Sequence, residues 1–90
     1  MIRLYWARND GMSGHAFLDP ADVELLRAEM VLQGVMLPRL EPGVHITATE
    51  VGEALESAAP DPISLPDRKL WTDWIKFLEG ASVNGGLLVR

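Results

Sequence analysis

The chain contains no cysteine. That one absence excludes a disulfide framework, a thiolate zinc site and a cysteine nucleophile. No apolar run approaches the ~20 residues needed to cross a bilayer. The opening stretch, Met1 to Arg8, is apolar only briefly before Asn9 and Asp10, too short and interrupted for a signal-peptide core. Positive charge is scarce: eight Lys and Arg stand against thirteen Asp and Glu, a net charge of −5. An acidic chain repels phosphate backbones, so no nucleic-acid partner is expected. Histidine occurs only at His15 and His45, and no helical face carries both. Spacing nominates no metal site, no serine sits in a nucleophile-elbow context, and no cofactor or catalytic residue is assigned. These absences point to a cytoplasmic protein with no membrane span.

What is present suits one small domain over residues 1–90. Apolar residues make up 48% of the chain, enough for a single core without staples. Ile2, Leu4 and Trp6 alternate with Arg3 and Tyr5, which predicts a strand. Residues 9–14, Asn-Asp-Gly-Met-Ser-Gly, read as a turn or loop. Asp19-Pro20 opens a helix, with Pro at a position where its missing N–H costs nothing, and Gly34 marks its stop. Val44-His45-Ile46 is a candidate short strand. Thr47 and Glu50 have the spacing of a capping box and open a second helix. Pro60, Pro62 and Pro66 fill an extended connector. A third helix follows Asp67, with Gly80 or Gly85-Gly86 as its stop, and Leu87-Leu88-Val89 reads as a buried strand. The expected fold is α+β, or a small α/β: a two- or three-stranded sheet of the N- and C-terminal strands, covered by three helices.

Two helices carry the functional signal. Helix one has two apolar stripes. Val23, Leu26 and Met30 form one; Ala21, Leu25, Ala28 and Leu32 form another nearly opposite. Glu24 and Arg27 lie on one flank, with Asp22, Glu29 and Gln33 on the other. Such a helix is either sandwiched within its domain or shares one face with a partner. Helix three has a wide apolar arc that includes Trp71 and Trp74, about 60° apart, so one of them is a candidate interface anchor.

The expectation is a non-enzymatic interaction or regulatory module that self-associates as a homodimer. Its candidate interface residues are Leu25, Leu32 and Trp71, with the acidic stripe Glu50, Glu53 and Glu56. That stripe also suits an acidic inhibitor or antitoxin-like protein with a basic partner. The competing class is a small-ligand binder or enzyme using Arg8, Asp10 and His15 in the loop after the first strand. Glycine-rich loops of that kind can present backbone N–H groups to an anion.

Overall fold

The computed structural model describes residues 1–8 and 14–90. Asn9 to Ser13, including Asp10, lie outside the described residues. The elements run β1 (Ile2–Trp6), β2 (His15–Leu18), α1 (Pro20–Gln33), β3 (His45–Ile46), α2 (Ala48–Ser57), α3 (Arg68–Ser82) and β4 (Leu87–Val89). The fold is α+β. Its sheet has four antiparallel strands in the order β2-β1-β4-β3, one or two more than the sequence reading. The additional strand is β2. Its four residues are too few to show a clear alternation, but they pair with the first four residues of β1, from Ile2 with Leu18 to Tyr5 with His15. The first and last strands do pair, and they form the centre of the sheet.

Register assigns every strand residue to a face, because successive side chains point to opposite sides and opposed residues share a side. Leu4 stands between Ala16 and Val89, and Trp6 and Ile46 both oppose Leu87. These residues face the helices and join one core with Leu26, Met30, Val51, Trp71 and Leu78. The other face carries Arg3, Tyr5, His15, Phe17, His45 and Leu88, none of which belongs to that core.

The helix starts follow from local chemistry. Thr47 accepts the amide of Glu50 while the Glu50 carboxylate accepts the amide of Thr47, so two free helix-end donors are satisfied reciprocally. Asp67 caps α3 by accepting the amide of Leu70. Asp19 stands at the start of α1 in extended backbone, with no side-chain cap. Gly34 closes α1 at φ +72°, in the left-handed region, donating to the carbonyls of Met30 and Val31.

Gly80 does not stop α3, which continues to Ser82. Instead it clears room for Trp6: a Cβ at position 80 would lie 2.0 Å from Trp6 Cζ2. The indole of Trp6 crosses α3 there and donates Nε1–H to the Phe77 carbonyl at 3.0 Å. α2 packs chiefly on α3. Trp71 and Trp74 are both buried, so the two rings share the core stripe despite their angular separation. No described helix is long and apolar enough to cross a membrane.

Candidate functional site

α1 is two-faced. Its inner side buries Val23, Leu26 and Met30. Its outer side leaves Leu25 45% exposed, Leu32 56% and Val31 72%, with Ala21 and Ala28 also exposed between them. Neither α2 nor α3 covers this stripe. It is the sandwiched arrangement that fails, since the domain uses only one of the two apolar faces. A shallow groove of about 460 Å³ runs along the outer side, lined by Glu24, Arg27, Ala28, Val31 and Leu32. Glu24 and Arg27 bring one charge of each sign to its edge.

The inner side holds the least expected residue of the chain. Glu29, which helical periodicity places on a polar flank, is fully buried. Its Oε1 accepts the amides of Ser64 and Leu65, each at 2.8 Å, and the Ser64 hydroxyl at 3.2 Å. Oε2 accepts the Ile63 amide and the Gln33 side-chain amide, both at 2.7 Å. Burial alone pushes this carboxyl up. The hydrogen bonds from Ile63, Gln33, Ser64 and Leu65 outweigh that cost and bring it from 4.5 down to about 2. Gln33 extends the clasp by accepting the Ala59 amide at 2.7 Å. Trp71 Nε1–H donates to the Ala59 carbonyl at 2.9 Å. The proline-rich connector is therefore held down by one carboxylate, one amide and one indole. A carboxylate already filled by five donors and sealed from solvent has no lone pair free for substrate, so its role is structural.

The residues singled out from sequence fall into separate places. Trp71 is fully buried and hydrogen-bonded to the connector, so it is core and leaves the surface. Leu25 and Leu32 stand together on the open stripe of α1. Glu53 and Glu56 are exposed on α2, whereas Glu50 is half-buried and occupied by the Thr47 cap. Arg8 follows the end of β1, whereas His15 opposes Tyr5 from β2. The Arg8 amide donates to the Asn84 carbonyl, in the turn that leads into β4. Asp10, between them in sequence, is outside the described residues. Among the described residues no group of three or more His, Asp or Glu is placed to hold a metal ion.

Trp74 is the other anomaly. Its ring is buried and its Nε1–H has no hydrogen-bond partner among the described residues. Nothing in periodicity distinguishes it from Trp71. For Glu29, the only sequence signal was a flank charge close to Gln33 with no basic residue on that side.

Comparison with protein-family models, curated proteins and solved structures finds no match.

Proposed function

We propose that the protein is a small non-enzymatic interaction module that pairs with a second copy of itself through the outer face of α1. The observation that carries this reading is the exposure of Ala21, Leu25, Ala28 and Leu32 in one stripe of a helix whose opposite side is already buried. Contiguous apolar surface of this kind marks interfaces.

A second copy suits the stripe better than a foreign partner for two reasons. The chain carries −5 overall, so two copies repel at most approaches. Along α1 the charges of Glu24 and Arg27, together on one flank of the stripe, cancel, so an approach along this side meets less of that repulsion. A two-fold pairing is also self-complementary, and closed two-fold dimers are the commonest assembly. Ala28, at the middle of the stripe, lets two helices approach closely. The 14-residue helix is ~21 Å long, so the paired area belongs with the smaller, transient interfaces below ~1,200 Å². A reversible dimer is the expected form.

Light scattering across micromolar to submillimolar protein tests this. The expected result is a mass that climbs from monomer toward dimer, and a monomeric mass throughout for Leu25→Glu and Leu32→Glu with circular dichroism unchanged. A constant monomer mass for the unaltered chain at every concentration would overturn the proposal.

The acidic face of α2 supports a second reading, because Glu53 and Glu56 are exposed and enter no ion pair among the described residues. In that case a basic partner would bind the unaltered protein and be lost on Glu53→Lys with Glu56→Lys.

A further inference from the structure

The sheet face turned away from the helices has a composition unlike the rest of the molecule. Its side chains stand in two ranks across the strands. His15, Tyr5, Leu88 and His45 form the first rank, each opposite the next by register. Phe17, Arg3 and Arg90 form the second: Phe17 opposes Arg3, and Arg3 and Arg90 exchange both backbone hydrogen bonds, at 3.3 and 2.8 Å. No aspartate or glutamate occurs in any of the four strands. Both histidines of the protein are here, with two of its eight Lys and Arg. Arg8 stands at the border, its side chain against Gly85. The acidic residues of the described chain lie instead on the helices and connectors. The net negative charge thus conceals a cationic face.

The rings on this face are arranged with the charges. Phe17 is half exposed, at 51%, and His15 stacks on it with centroids 5.2 Å apart. Tyr5 meets Phe17 edge-on at 6.3 Å. The Arg90 guanidinium lies 5.4 Å from the centre of the Tyr5 ring. His45 is fixed by a hydrogen bond between its Nε2 and the Gly85 carbonyl. An apolar protein partner would find charge in the middle of the sheet, not a dry centre. A polyanion without rings would leave Tyr5 and Phe17 unused. A partner that alternates flat rings with phosphates uses both, because bases stack on aromatic and guanidinium planes while cations neutralise the backbone.

We propose that this open sheet face binds an unpaired nucleic-acid strand. Phe17 and the Tyr5–Arg90 pair receive bases, and Arg3 and Arg8 hold phosphates. The proposal is independent of α1, which carries its exposed stripe outside this sheet.

The test is fluorescence anisotropy with a labelled oligothymidine of roughly ten nucleotides, a span suited to one small single-strand site. The same oligonucleotide annealed to its complement, heparin and a polyglutamate peptide are the comparisons. The unpaired strand is expected to bind most tightly. Phe17→Ala should weaken it about tenfold, the loss of one stacked base. Arg3→Ala should flatten the slope of log affinity against log salt by about 0.7, the release expected for one phosphate contact on a single strand. Phe17 and Arg3 are exposed, so both variants should keep the parental circular dichroism, which is measured first. Absence of any anisotropy change at low salt would overturn the proposal. So would equal or tighter binding of the duplex, heparin or polyglutamate, or a Phe17→Ala variant of unchanged affinity.

Discussion

Glu29 shows how one residue can hold a long connector in place. Its carboxylate gathers three consecutive amides from residues 63–65, donors that would otherwise face the interior unpaired. Glu29→Ala should therefore cost about 3 kcal/mol or more, since several buried donors lose their acceptor at once. Glu53→Ala, on the exposed side of α2, should stay within ~0.5 kcal/mol. Urea midpoints give both values. The titration has a definite sign. The folded carboxyl lies near 2, below its ordinary 4.5, so its stabilisation is fully present above that ordinary value and is lost as pH falls toward 2. Glu29→Gln should remove that acid-side slope, and an unchanged slope between pH 5 and 2 in this variant would contradict the assignment.

The two tryptophans of α3 offer a second comparison at this scale. Trp71 donates its N–H to the Ala59 carbonyl, whereas Trp74 buries its N–H without a partner among the described residues. Both rings are almost wholly buried, so Phe replacement removes similar packing from each. Trp71→Phe strands the Ala59 carbonyl and loses a bond; Trp74→Phe discards an unpaired donor. Trp71→Phe should thus be the costlier change by ~1 kcal/mol or more. The reverse order in thermal denaturation would mean that the Trp74 indole has a partner in solution.

Among the elements, the helices were the most legible part of the chain. Thr47 with Glu50, Asp67, Pro20 and Gly34 announce the helix ends because capping is a local interaction between residues a few positions apart. β2 was not legible in the same way. A four-residue strand has no periodicity of its own, and its stability comes from hydrogen bonds to β1. Glu29 escaped for a related reason: its partners lie 34 to 36 residues away, and only the folded connector brings them to it. Gly80 shows the limit of punctuation signals. Glycine often ends a helix, but here it makes space for a tryptophan from a distant strand. On propensity alone Gly80→Ala would strengthen α3 by ~1 kcal/mol. The Cβ, 2.0 Å from the Trp6 ring, forces that ring or the helix to move, so the net result should be destabilisation of ~1–3 kcal/mol. A raised melting temperature for Gly80→Ala would show that Trp6 does not cross α3 at this point.

For the whole molecule, what decides function is how charge and apolar surface are distributed. Composition reports sums, and the sums were misleading in one respect. The net charge of −5 says nothing of a sheet with no acidic residue and of helices that carry the excess. The apolar stripes of α1 were visible as a pattern, but which of them lacked a cover depended on where the other helices packed. If two copies meet through that stripe, the folded dimer is stabilised by mass action and its melting temperature must climb with protein concentration. Leu32→Glu should abolish that dependence while leaving the dilute-limit melting temperature close to the parental value, because Leu32 is exposed in the single chain. A concentration-independent melting temperature for the unaltered protein would count against the dimer.

The strand order β2-β1-β4-β3 also governs when the protein can fold. β4 lies between β1 and β3, yet it follows every other element in the chain. Until Leu87-Leu88-Val89 is available, β1 and β2 are an isolated hairpin and the two residues of β3 have no neighbour. An isolated hairpin is marginal in water. The join that completes the sheet spans almost the entire chain, and such distant contacts slow folding by deferring their gain until the loop is closed. A nascent chain that ends before β4 would therefore carry unpaired strand edges on β1 and β3. The sheet cannot be complete until β4 is available, and the strand pair at the beginning of the chain has to wait for it.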